Sequence, residues 1–247
     1  MKSLFIITGA SKGIGKALAE KLASNPDNEV IGISRSEVKS QYANLKGISL
    51  DLSNFDLIRQ SFEVIFLDGD FERIVLINNA GWIGQIDHFG NLKSKSIRDI
   101  FNINTIAPAL LINEFVNKYS GLKDKERIVV NISSGAAKKA IDGWSGYSAS
   151  KAALNMMTAT AQKEAELNKT GIKFYALSPG VVDTDMQSAI RASSEESFSS
   201  LSKFKDLKEK NQLNTAAEVA EKILYLIQNP NLFTEVLQDV REFTSEK

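Results

Sequence analysis

Apolar residues fall along this chain in two alternating rhythms. Short unbroken runs occur at Leu4-Phe5-Ile6-Ile7, Val30-Ile31-Gly32-Ile33, Gly47 to Leu52, Arg73 to Ile77, Arg127 to Ile132 and Ile172 to Leu177. Such runs read as parallel strands buried on both faces. Between them, apolar residues recur three or four positions apart, as on one face of a helix. Ile14, Leu18 and Leu22 mark a first helix that ends near Pro26. Phe55, Ile58, Phe62 and Ile65 or Phe66 mark another over roughly 54–67, and a longer one runs from Ser94 to about Lys118, interrupted at Pro108. A helix starts near Trp144, and Thr215 caps a last one carrying Val219, Ile223 and Leu226. A short seventh strand follows Pro230, near 234–237. Strands alternating with helices predict an α/β unit.

The chain has 247 residues, a normal length for one α/β domain, and no repeat or linker divides it. Lys plus Arg and Asp plus Glu each total 30, so no overall field points to nucleic acid or an anionic membrane. With no cysteine there is no disulfide, thiolate metal site or cysteine nucleophile. The lone histidine, His88, has no second histidine to help hold a metal and reads as a loop residue near a pocket rim. The opening MKSLFIITGA has a strand-type run rather than a leader or spanning helix, so a soluble, cytoplasmic protein is expected.

Candidate chemistry sits at strand ends. After the first strand comes Thr8-Gly9-Ala10-Ser11-Lys12-Gly13-Ile14-Gly15 and then a helix. Glycines allow a pyrophosphate to approach the backbone, and the helix start offers unpaired N–H groups and a positive dipole end. The second strand ends at Ser34-Arg35-Ser36, with no carboxylate before Glu37. Arg35, with Lys12 nearby, suits a 2′-phosphate, which predicts NADP(H) over NAD(H). At the fifth strand's end stand Ser133 and Ser134, followed by Tyr147 and, one helical turn on, Lys151. Phenol, ammonium and hydroxyl together suit proton delivery to a carbonyl. Lys151 is expected to lower the Tyr147 pKa, and Ser134 to hold the oxygen where charge develops.

The Ser…Tyr-x-x-x-Lys set resembles the active-site signature of the short-chain dehydrogenase/reductases, and four further motifs agree. TGxxxGxG covers Thr8–Gly15; NNAG follows strand four at Asn78, Asn79, Ala80 and Gly81; an N-x-N-x-x-x-P pattern begins at Asn102; and PGxVxT covers Pro179 to Thr184. The resemblance spans nearly the whole chain. It implies a single Rossmann-type doubly wound sheet, strand order 3-2-1-4-5-6-7, with helices on both faces. It also implies cofactor contacts from Gly9, Ser11, Lys12, Gly13, Ile14 and Gly15, from Asn79, Ala80 and Gly81, and from Tyr147 and Lys151. Asp51 and Leu52 would line the adenine, although Asp51-Leu52-Ser53 could instead cap the next helix. Pro179, Val182 and Thr184 would hold the nicotinamide, and Asn104, in competition with Asn102, would continue a proton relay beside Lys151. Residues 187–214 occupy the place of a mobile substrate lid, and homo-oligomers (dimer or tetramer) are common in the family. Ala152, Ala153, Met156, Met157 and Ala159 would pack into core or subunit contacts.

SSGAA…GWxxY followed by SPGVVDTDMQ is most similar to the sepiapterin reductase and benzil reductase branch. That implies NADPH-dependent reduction of a small ketone, vicinal dicarbonyl or pterin side-chain ketone. Two other readings use the same residues: an alcohol dehydrogenase acting on a sugar or acyl-chain hydroxyl, and a non-catalytic NADP-binding sensor.

Overall fold

The computed structural model describes residues 2–243, so the charged end Thr244–Lys247 lies outside the described residues. Seven strands form one parallel sheet: β1 (Ser3–Thr8), β2 (Asn28–Ser34), β3 (Leu45–Ser49), β4 (Arg73–Asn78), β5 (Glu126–Ile132), β6 (Lys173–Ser178) and β7 (Leu237–Asp239). Their order is β3-β2-β1-β4-β5-β6-β7, as the resemblance implied. The helices are α1 (Gly13–Ala23), α2 (Phe55–Gln60), α3 (Phe62–Ile65), α4 (Ser94–Phe101), α5 (Ala107–Tyr119), α6 (Ser145–Leu167), α7 (Asp185–Arg191), α8 (Leu201–Glu209) and α9 (Ala216–Gln228).

Successive side chains of a strand point to opposite faces. Phe5 and Ile7 of β1 therefore join one core with Leu18 and Leu22 of α1 and Ile223 and Leu226 of α9. Leu4 and Ile6 join a second core with Leu111 and Phe115 of α5 and Ala165 of α6. Two covered faces are the reason the central strands are apolar without alternation. At the edge, β3 is only partly covered.

Four elements differ in their boundaries from the sequence expectation. The helix over 54–67 is two short ones, broken at Ser61, whose hydroxyl donates to the Leu57 carbonyl at 2.8 Å and competes with the helical ladder. The 94–118 helix is interrupted before Pro108, by a π-helical turn over Asn102–Ile106, while Pro108 sits in the first turn of α5, where its missing N–H costs little. Strand three ends at Ser49, so Asp51 and Leu52 lie beyond it, and the last strand falls at 237–239. In addition, Met156 is 69% exposed, so that face of α6 does not pack into the core of this chain.

Candidate active site

The glycine turn leaves β1 with Gly9 at φ +71° and Gly13 at φ +55°, backbone that side-chain-bearing residues rarely adopt. Gly15 is required for a different reason: a Cβ there would lie 2.3 Å from the Gly9 carbonyl oxygen and 2.5 Å from Asn79 Nδ2. Lys12 precedes α1, and its side chain caps none of the first N–H groups. This glycine cradle and open helix start fit the pyrophosphate of a dinucleotide. Thr8, which the motif contains but the sequence reading gave no role, closes the turn. Its Oγ1 accepts the Asn79 and Ala80 N–H groups at 3.0 Å each, and Asn79 Nδ2 donates to the Thr8 carbonyl at 2.9 Å.

At the end of β2, the Ser34 hydroxyl donates to Ser11 Oγ at 2.7 Å, and Arg35 projects into solvent with no ion-pair partner among the described residues. Lys12 is less free than expected. Its Nζ lies 2.7 Å from Asp185 Oδ2 at the start of α7, a carboxylate 173 positions away. Asp51 accepts the Ser53 N–H and hydroxyl, both at 2.9 Å, while α2 is capped by Asn54, so Asp51 is not the helix cap.

Ser134, Tyr147 and Lys151 meet where β5 ends against α6. Ser134 starts a short 3-10 turn and accepts the Ala136 N–H at 3.1 Å. Tyr147 and Lys151 are 7% and 3% exposed. Burial raises the Tyr147 phenol, and a hydrogen bond with Ser134 opposes that only in part. Lys151 is pulled down to about 8 by burial, with Nζ donating to the Ile132 carbonyl at 2.7 Å. Lys151 therefore does not dominate the phenol as its spacing suggested. Both groups are buried, and desolvation is the main cause of each shift.

Asn104 sits in the π turn, fully buried. Its Oδ1 accepts the Trp82 N–H at 2.9 Å, and its Nδ2 donates to the Trp82 carbonyl at 2.9 Å and to Ser150 Oγ at 3.0 Å. Its side chain thus bonds Trp82 and Ser150 rather than Lys151. Behind it, Asn78 donates to Asn131 and Asn131 to Thr158, each at 2.8 Å, which ties β4, β5 and α6 together.

A cavity of about 1220 Å³ runs across the carboxyl ends of the strands. It brings together Gly9, Ser11, Lys12, Gly13, Ile14, Arg35, Asp51, Leu52, Asn79, Ala80, Gly81, Ser134, Tyr147, Lys151, Pro179, Val182 and Thr184. Gly15 and Asn104 support its walls from behind. Val182 pairs with Asn214, and Thr184 Cγ2 would stand 3.3 Å from a Cβ at Gly13, so this segment closes over the glycine turn. Beyond Tyr147 the wall is apolar: Ile83, Ile141, Trp144, Met186, Ile190 and Phe204. Trp144 stacks on Phe198 with centroids 5.0 Å apart. The sequence reading missed this wall, because its members come from four separate segments and share no motif. His88 lies on a half-exposed loop with Nε2 3.6 Å from Asp142.

A parallel sheet of this order, a dinucleotide cradle and a Ser-Tyr-Lys cluster define a nicotinamide-dependent oxidoreductase. The chain belongs to the short-chain dehydrogenase/reductase family, whose short chain dehydrogenase model matches residues 3–195. It is 36% identical to the benzil reductase ((S)-benzoin forming) of Bacillus subtilis over 243 residues, covering 97% of this chain and 99% of that one. It is 28% identical to the sepiapterin reductase of Bos taurus, covering 92% and 90%. A short-chain dehydrogenase/reductase structure from Saccharomyces cerevisiae superposes with TM-score 0.84 at 26% identity, covering 98% of this chain and 97% of that one. No helix among the described residues is long and apolar enough to cross a membrane.

Proposed function

We propose that this oxidoreductase is an NADPH-dependent carbonyl reductase acting on a small ketone, with a vicinal dicarbonyl or a pterin side-chain ketone as the substrate class. The observation that carries the reading is a buried Tyr147 phenol beside Ser134 that faces an aromatic and aliphatic wall in one cavity. The similarity to benzil and sepiapterin reductases points the same way.

NADPH, when bound, supplies the hydride for the carbonyl carbon. Gly9, Gly13 and the start of α1 would hold its pyrophosphate, Asp51 and Leu52 its adenine, Lys151 its ribose hydroxyls, and Val182 and Thr184 its carboxamide. Arg35, with Ser11 and Ser34, would hold the 2′-phosphate, with Lys12 beside them in an exposed ion pair with Asp185. Tyr147 donates its proton to the substrate oxygen. Burial raises the phenol's pKa, so at neutral pH it carries a proton to give. Ser134 donates a hydrogen bond to the same oxygen as charge develops. The turn that Asn104 fixes, with a water beside Lys151, would return a proton to Tyr147. Residues 187–214 would close over the substrate and exclude water.

The test follows NADPH and NADH oxidation in parallel with benzil, other vicinal diketones, sepiapterin and simple aldehydes. Turnover with NADPH is expected, falling roughly 100-fold or more in Tyr147→Phe while NADPH still binds. Undiminished turnover by that variant would remove Tyr147 from the chemistry.

A further inference from the structure

We propose that Gln187 determines specificity by donating a hydrogen bond to the second oxygen of a vicinal dicarbonyl substrate; the inference rests on the reductase reading above. Gln187 lines the cavity yet is only 4% exposed. Its orientation is set by chemistry. Arg191, one turn along α7, donates from Nη1 to Gln187 Oε1 at 3.0 Å, and a guanidinium offers only donors, so the carboxamide must turn its oxygen towards Arg191. Nε2 is left pointing the other way, with two N–H groups that donate to nothing among the described residues. Arg191 is itself steadied by Ser188, which accepts from Nη2 at 3.2 Å.

A side-chain amide fixed at a cavity wall, whose N–H groups no described residue accepts, is a place where a ligand oxygen belongs. Position supports a substrate over a cofactor oxygen. Ile190, three residues on and so on the same side of α7, belongs to the apolar cluster that contains Tyr147 and Trp144. Met186, next in sequence, brings its Cε within 3.9 Å of the point a Gly81 Cβ would occupy, and Lys151 Nζ is 3.5 Å from that same point. The first turn of α7 thus reaches the reacting end of the cavity. Ser134 and Tyr147 take the carbonyl oxygen that is reduced. A substrate with a neighbouring carbonyl presents one more acceptor on an otherwise apolar body, and Gln187 supplies a matching donor beside the apolar residues, where Trp144 Nε1 is also buried without an acceptor among the described residues.

The experiment compares wild type with Gln187→Leu, which keeps the volume and loses the donor, on benzil and on an aromatic monoaldehyde, with the NADPH Kd measured separately. The expected result is a roughly 10- to 100-fold loss of kcat/KM on benzil, less than about 2-fold on the aldehyde, and an unchanged NADPH Kd. Arg191→Leu, which frees the amide to rotate, should give a smaller loss with the same selectivity and serves if Gln187→Leu fails to fold. Equal losses on both substrates, no loss on benzil, or a weakened NADPH Kd would overturn the inference. Wild type that reduces the aldehyde and not benzil would sink the dicarbonyl reading and the inference with it. Benzil turnover that is indifferent to Gln187 would sink the inference alone.

Discussion

Lys151 is a cation held out of water, with one backbone carbonyl as its hydrogen-bond partner. Its pKa of about 8 in the fold lies below the ordinary 10.5, so between those values the unfolded chain keeps a proton that the folded chain has released. Stability therefore rises with pH from about 8 to 10.5, and the penalty is complete below pH 8. Lys151→Met should stabilise the fold by on the order of 3 kcal/mol at neutral pH while abolishing turnover, and the gain should shrink towards pH 10. Thermal melts at pH 7 and 10 check both signs; a destabilised variant at pH 7 would refute the account. Arg35 allows a second prediction at this scale. Arg35→Asp should lower kcat/KM for NADPH at least 10-fold relative to NADH, since a carboxylate repels a 2′-phosphate and accepts from a 2′-hydroxyl. An unchanged NADPH:NADH ratio would mean Arg35 is only a solvated loop residue.

Among the elements, the segment from α7 to α8 is tied to the loop before α6 at three places. Asp142 accepts the Ser199 N–H at 2.7 Å and its hydroxyl at 2.8 Å. Trp144 stacks on Phe198. Gly143, at φ +72°, has no room for a Cβ, which would lie 2.3 Å from the Ser197 carbonyl oxygen. Ser199 holds the Asp142 carboxyl below its usual range, so the tie is an ionised one at neutral pH. Asp142→Ala should raise KM for the carbonyl substrate several-fold and leave the NADPH Kd alone, because it loosens the substrate wall and not the cradle. Saturation kinetics with each ligand varied separately decide it, and a change in the NADPH Kd would place the segment elsewhere in the cycle. These ties were not legible in advance: 187–214 is polar, and Phe198 and Phe204 look scattered until the loop before α6 supplies Trp144. The π turn was equally hidden, since one extra residue in a turn hardly disturbs a 3.6-residue pattern, and Pro108 was the more visible interruption.

For the whole molecule, the geometry of the Ser134, Tyr147 and Lys151 cluster depends on how firmly α6 is held to the sheet. Asn131, fully buried on β5, accepts from Asn78 and donates to Thr158 of α6, so one side chain joins two strands and a helix. Asn131→Ala should cost about 1–3 kcal/mol by leaving buried polar partners unpaired. Activity should fall further than stability alone explains, because Ser134 and Lys151 flank the same junction. Denaturant melts beside kcat measure the two separately, and full activity in a destabilised variant would disconnect them.

The sequence by itself determined the sheet and its cradle. Strands covered on both faces must be apolar throughout, and the turn after β1 needs glycine at Gly9 and Gly13 for its positive φ; both demands are local and are written in consecutive residues. The spacing of Tyr147 and Lys151 on one helix is local in the same sense. Tertiary structure alone decided the rest. It set the environment of those two groups, where burial shifts the phenol up and the ammonium down. It also paired Lys12 with Asp185, locked Asn104 to Trp82, turned Gln187 by means of Arg191 at the cavity wall, and gathered the apolar wall. Desolvation and pairing depend on which distant segments arrive at the same place, and no period or motif along the chain encodes that arrival.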